Sequence, residues 1–246
     1  MIAARVREAI EVNRTESQKR RAAERAVGFI ESGMKLGLGT GSTARHVVEI
    51  LAARLQAGTL REIVAVPTSL ATEMHARSLQ IPLTTLNHEP RLDLTIDGAD
   101  EIGPGLDLIK GHGGALLWEK LVAGASARLL IVADESKIVS RVGERMALPV
   151  EVVPFGWSTH LPTLRDLGAQ PALRCVRDEP VLTDSGHYLI DCRFENGIAD
   201  PVGVGAALKA RTGIVETGLF IGMAHVAVVA TDDNIRVIER ESATWA

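Results

Sequence analysis

The chain predicts an α/β protein: a Rossmann-like, doubly wound, mostly parallel sheet carrying an inserted, smaller ferredoxin-like α+β domain. Three observations predict it. From Met34 to Val132, apolar runs of strand length alternate with stretches of helical period. Four polar segments, GTGST, DGADE, KGHGG and ADESK, each follow the carboxyl end of such a run, the place where open α/β sheets bind ligands. After Pro149 the rhythm changes to βαββαβ, the split ferredoxin-like pattern.

Thr15 opens the first helix with capping-box spacing to Gln18, and Ala23, Ala26, Val27 and Ile30 form its apolar stripe. Residues 34–38 make a short strand, GTGST a turn, and Ala44, Val47, Val48, Leu51 and Leu55 the inner face of a second helix. Strands follow at 63–66, 92–96, 106–109 and 129–132. Uninterrupted apolar runs of this kind suit a parallel sheet covered on both faces. Beyond Pro149 the pattern reads as a strand at 150–153, a helix at 158–167, strands at 172–176 and 187–194, a helix at 202–211 and a strand at 214–220. Residues 226–229 look like one more buried strand of the first sheet. That makes 147–220 an insertion in a catalytic domain formed by 1–146 and 221–246.

With 246 residues, 46% of them hydrophobic, the chain can bury one large core or two modest ones. Its formal net charge of -4 speaks against a nucleic-acid partner, and the basic run Lys19, Arg20, Arg21 is offset by Glu16 and Glu24. The start of the chain lacks the charged-then-apolar pattern of a signal peptide, and there are two cysteines, Cys175 and Cys192. A cytoplasmic protein with two buried thiols is expected. No apolar run approaches the roughly 18 residues of a membrane span. The seven histidines have no H-x-H or H-E-x-x-H spacing, so no metal is expected.

In GLGTGSTA, Gly39 and Gly41 flank a strand-to-helix turn in which Thr40, Ser42 and Thr43 offer hydroxyls, a setting suited to phosphate. The spacing is not the dinucleotide fingerprint and the Walker lysine is absent, so no cofactor is expected. The plainer alternative is a helix start capped by Ser42 or Thr43. TIDGADEI presents Asp97, Asp100 and Glu101 around Gly98 and Ala99. Carboxylates this close repel, which holds one proton more tightly. An Asx-type turn and a divalent-cation site are its alternatives. In KGHGGALLWEK, Lys110 ends a strand, Gly111, His112 and Gly113 let backbone approach a ligand, and Glu119 lies a turn into the following helix. This run can hold an oxyanion beside a carboxylate base; alone, it also reads as a tight turn before a solvated Glu-Lys face. Asp134 and Lys137 close a fourth strand in IVADESK.

TGST, DGADE, the K-G-x-G-G run followed by E-K, and ADESK, in this order, resemble ribose-5-phosphate isomerase of the A type. The likeness is dense from Gly37 to Lys137 and continues more loosely through PLPVEVVPF and GIVETGLF. It implies an aldose-ketose isomerase interconverting ribose 5-phosphate and ribulose 5-phosphate through an enediolate, as a homodimer or homotetramer. On the matching positions, Glu119 would move the proton between C1 and C2. Asp97, with Asp100 beside it, would assist ring opening and hydroxyl proton transfer. Lys110 and the backbone of Gly111 to Gly113 would steady the enediolate, while residues 40–43 and Lys137 would line the rest of the sugar-phosphate site. The family's run is often all glycine, and here His112 interrupts it. The competing readings are a deaminase-like or lactonase-like phosphosugar enzyme and a sugar-phosphate-sensing domain without turnover. Glu119 with Lys110 and Asp97 in isomerase spacing disfavours the first, and the absence of a basic recognition surface disfavours the second.

Overall fold

The computed structural model describes residues 2–240, with side chains from residue 12 onward. The first half runs α1 (Ile2–Val27), β1 (Lys35–Leu38), α2 (Ser42–Gln56), β2 (Val64–Pro67), α3 (Leu70–Ser78), β3 (Leu92–Asp97), β4 (Glu101–Ile102), β5 (Leu108–Ile109), α4 (Leu116–Gly124) and β6 (Ser126–Asp134). The second half adds β7 (Leu148–Val152), α5 (Leu161–Asp166), β8 (Gln170–Leu173), β9 (Cys175–Val176), β10 (Glu179–Pro180), β11 (Tyr188–Arg193) and α6 (Pro201–Lys209). β12 (Ile214–Thr217), β13 (Leu219–Phe220), β14 (Val226–Ala230) and β15 (Ile235–Glu239) complete it.

The principal sheet has the order β15-β14-β6-β3-β1-β2 and is parallel except for the edge strand β15. Successive residues of a strand face opposite sides, and here both sides are covered. Leu130, Val132, Val226 and Val228 pack with Ala22, Ala26, Val47 and Leu51 of α1 and α2. Leu129, Ile131, Ala227 and Val229 pack on the other face with Ala123 of α4 and with Phe220. Apolar strand interiors are worth about 1.5–3 kcal/mol for each fully buried Val, Leu or Ile, which leaves the strand ends as the sheet's polar, reactive edge. The fold is α/β, as the alternation predicts.

A second sheet is antiparallel with the order β12-β7-β11-β8. In chain order of its four strands that is 4-1-3-2, the ferredoxin-like arrangement predicted by the βαββαβ rhythm. Its core of Leu148, Val150, Val152, Ile190 and Cys192 also takes in Ile109 and Val142 from the first half of the chain.

Several elements differ from the sequence reading. Thr15 does not open the first helix: α1 passes straight through it, since neither Gly nor Pro precedes it. Residues 106–109 do not join the parallel sheet. β5 pairs antiparallel with β4 and β13 in a separate three-stranded sheet, directed there by Gly105 at φ 66° and Leu106 at φ 59°. The helix expected at 158–167 is a 3₁₀ turn (Trp157–His160) followed by the short α5, because Pro162 in the first turn cannot donate to a continuous ladder. The strands expected at 172–176 and 214–220 each break in two, at Arg174 and at Gly218. Cys175 is exposed, so only Cys192 is a buried thiol; both are free.

Candidate active site

The chemistry gathers where β1, β3 and β6, neighbours in the sheet, end together. Thr40, Gly41, Ser42 and Thr43 line one side of a cleft there, Gly98, Ala99 and Asp100 its floor, Lys110, Gly111, Gly113 and Glu119 the far wall, and Lys137 the rim. Asp97 is buried beneath this cleft, 1% exposed, while His112 is exposed and outside it. A larger, mainly apolar hollow between Val66, Leu86, Trp118 and Leu121 lies away from these groups.

Asp97 is held by geometry the glycines permit. Its Oδ1 accepts the N–H of Thr40 at 3.0 Å and of Gly98 at 2.7 Å. A Cβ at position 39 would lie 2.2 Å from that same oxygen, so only glycine lets β1 and β3 end this close. The Thr40 hydroxyl turns to a cluster with Thr68 (2.8 Å), Ser69 (2.8 Å) and Thr72 (3.1 Å), none of which the sequence had marked.

Lys110 is 2% exposed, and its ammonium donates to Gly98 O at 2.6 Å and Glu119 Oε1 at 3.1 Å while lying 3.0 Å from Asp97 Oδ2. Burial pulls its pKa down, but the carboxylates of Asp97, Glu119 and Asp100 outweigh that and leave it raised. The lysine stays charged. Burial pushes Glu119 up to about 8, with Lys110 pulling the other way and Asp97 adding to the rise. Burial also raises Asp97, against Lys110 and the N–H groups of Gly98 and Thr40. Glu119 Oε2 has no partner among the described residues. Asp100 Oδ2 accepts the N–H of His112 at 2.8 Å.

At the opposite wall, α2 begins at N-cap Gly41, φ 108°, with no side chain capping it and no acidic residue in its first turn. The alternative of a helix start capped by Ser42 or Thr43 is therefore overturned. The first-turn N–H groups are open to an anion, and Lys137 makes no ion pair among the described residues. Glu101, grouped with Asp97 and Asp100 in the sequence, faces the other way. Its carboxylate accepts the backbone N–H groups of Gly143, Arg145 and Met146 and is structural. Asp134 likewise caps Ser136 N, at 3.0 Å. No cluster of three or more His, Cys, Asp or Glu suited to a metal occurs among the described residues.

A further contact that the sequence reading missed comes from the other half of the chain. Arg174, from the break between β8 and β9, donates to the carbonyls of Gly111 (3.3 Å) and His112 (2.8 Å). Nothing local marks it, because only the fold brings residue 174 to residue 112.

The model of the family described as ribose 5-phosphate isomerase A (phosphoriboisomerase A) matches residues 64–234. A ribose-5-phosphate isomerase A of Roseiflexus castenholzii is 52% identical over 227 residues, 92% of this chain and 97% of that protein. The solved ribose 5-phosphate isomerase of Plasmodium falciparum is 39% identical and aligns with a TM-score of 0.89 over 92% of this chain and 99% of its own. A second structure, of a D-ribose-5-phosphate isomerase in complex with phospho-erythronic acid, gives 36% identity and a TM-score of 0.89 over the same shares. With the match extending along most of the sequence and around a cleft of acidic and lysine side chains, this chain belongs to the ribose-5-phosphate isomerase A family.

Proposed function

We propose that Glu119 is the base that carries one proton between C1 and C2 of the substrate. As a ribose-5-phosphate isomerase, the protein interconverts D-ribose 5-phosphate and D-ribulose 5-phosphate in the pentose phosphate pathway. The C2 proton of the open-chain aldose passes to Glu119, leaving an enediolate. The same carboxyl returns it to C1, while the O2 proton ends on O1. One buried carboxylate oxygen without a partner, Glu119 Oε2 beside the cleft, is the observation that carries this reading.

The other groups divide the work. The Lys110 ammonium and the backbone of Gly111 and Gly113 face the developing oxyanion, the larger source of acceleration, since acid-base transfer alone contributes about 10²- to 10⁴-fold. Asp100, with one oxygen taken by His112 N, has the other for a sugar hydroxyl during ring opening. Asp97 assists through Lys110. The phosphate goes to the open start of α2, between residues 40–43 and Lys137. We read 147–220 as a ferredoxin-like domain inserted between 1–146 and 221–246. The protein would act as a cytoplasmic homodimer or homotetramer, for which exposed Met74, Leu121 and Phe155 offer apolar contact surface.

Glu119→Gln tests the assignment. The near-isosteric amide should leave KM within about tenfold and lower kcat by about 10³-fold or more, the pattern of a group that acts in the transition state. A variant turning over at a near-normal rate would remove Glu119 from the mechanism.

A further inference from the structure

We propose that Arg174, oriented by Asp191, is a positioning residue that aims the backbone oxyanion donors of the 111–113 loop, an inference that rests on the site reading above. Arg174 is a member of neither wall of the cleft. Its guanidinium is held bidentately by Asp191 of β11, Nε to Oδ2 at 2.8 Å and Nη2 to Oδ1 at 2.5 Å. The remaining Nη1 donates to the loop carbonyls of His112 (2.8 Å) and Gly111 (3.3 Å). Both side chains are largely covered, at 15% and 29% exposure, which preserves charge-assisted bonds that solvent would weaken. Arg174 N is itself fixed to Leu189 O at 2.8 Å. The second sheet thus supplies a rigid mount.

Peptide geometry turns that mount into an aiming device. In a planar trans peptide the C=O and N–H point in opposite directions. Holding His112 C=O on the Arg174 side therefore sends the N–H of Gly113, in the same plane, the other way. Gly113 lines the cleft, and its N–H has no acceptor among the described residues. The adjoining plane is pinned at both edges, Gly111 C=O by Arg174 and His112 N–H by Asp100 at 2.8 Å. The Gly114 N–H closes a turn onto Gly111 O at 2.9 Å, but that bond leaves the central 112–113 plane able to flip, and an added Cβ at Gly113 would meet nothing within 4 Å. Without Arg174 the Gly113 plane is free to rotate, and a donor preplaced for the enediolate is lost.

The experiment compares Arg174→Ala and Asp191→Asn with the parent enzyme. Loss of one oxyanion donor costs about 10²–10³ in kcat. Arg174→Ala should approach that loss, and Asp191→Asn, which keeps the guanidinium but loosens it, should lose about tenfold. KM for ribose 5-phosphate, set mainly by the phosphate, should stay within about threefold. Affinity for phospho-erythronic acid, a sugar-acid phosphate whose carboxylate can accept the same backbone donors, should fall with kcat. Millimolar guanidinium should restore part of the Arg174→Ala turnover and none of that of Glu119→Gln. The proposal is overturned if Arg174→Ala keeps kcat within about threefold, or if KM and kcat worsen equally with no guanidinium rescue. If Arg174→Ala does not fold, Asp191→Asn decides by the same split. An inert Glu119→Gln beside an unaffected Arg174→Ala defeats this inference alone, whereas an active Glu119→Gln defeats the site reading itself.

Discussion

A base that takes a proton from carbon works best with a pKa near the operating pH, and burial places Glu119 at about 8 against the pull of Lys110. kcat/KM should therefore climb close to tenfold per pH unit below about 8 and level off above it, with no alkaline fall from Lys110, which its carboxylates hold charged. A flat profile from pH 6 to 9 would contradict the assignment. Stability carries the same signature. The protonated carboxyl's contribution is complete below the unfolded value of 4.5 and is lost as pH rises through about 8. Melting temperatures of Glu119→Gln should gain on the parent across that interval. His112 predicts the opposite kind of result. Only its backbone is engaged, N–H to Asp100 and C=O to Arg174, and the residue is exposed. His112→Gly should keep turnover within about tenfold, roughly 1.4 kcal/mol in the barrier; a hundredfold loss would bring the imidazole into the chemistry. Asp97, Asp100 and Lys110 were readable because each lies at or just beyond a strand end beside glycine, and Glu119 because it sits in the first turn of the helix after the glycine run. Arg174 was not, since its partners lie some sixty positions away.

The elements that make the site are two helix starts and the strand ends facing them. α2 begins without a capping side chain, which in a chain rich in Ser and Thr at that point runs against local preference. The turn keeps this opening because Gly41 adopts φ 108° and Gly39 clears Asp97. Gly39→Ala would set a methyl 2.5 Å from Asp97 Cα. β1 and β3 would have to part, at a cost of about 1–3 kcal/mol for overpacking, and the Thr40 N–H bond to Asp97 would go with them. Calorimetry should find a lower melting temperature and assays a kcat reduced about tenfold or more; full activity with unchanged melting would show that the approach of these strands is not needed. Elements built from regular periodicity were legible, including the parallel strands and both βαβ-type units of the second sheet. Among those that failed are apolar runs that change sheets midway. Residues 214–220 read as one strand, yet Gly218 divides them because a side chain there would fall 2.2 Å from Lys110 O. That constraint comes from a residue over a hundred positions earlier.

At the level of the whole molecule, the two sheets meet at Lys110. Lys110 N donates to Gly218 O at 2.9 Å, Gly218 N donates to Pro149 O at 2.8 Å, and Leu219 pairs with Ile109. Ile109, fully buried, belongs to the core of the second sheet although its chain position lies in the first half. Sequence rhythm separates the halves cleanly at Pro149, but it carries no trace of this shared core, which depends on pairing across residues 108–109 and 219–220. A common core predicts common unfolding. Heat should unfold the protein in one transition, with calorimetric and van't Hoff enthalpies equal at fixed protein concentration. Ile109→Ala should cost about 2–5 kcal/mol, the range for truncating a buried isoleucine, and should shift that single transition without splitting it. Turnover should fall as well, because the cavity opens one residue before the ammonium that bridges Asp97 and Glu119. Two resolved transitions, with the upper one unmoved by Ile109→Ala, would show that the sheets stand independently and that the lysine is placed by the first sheet alone.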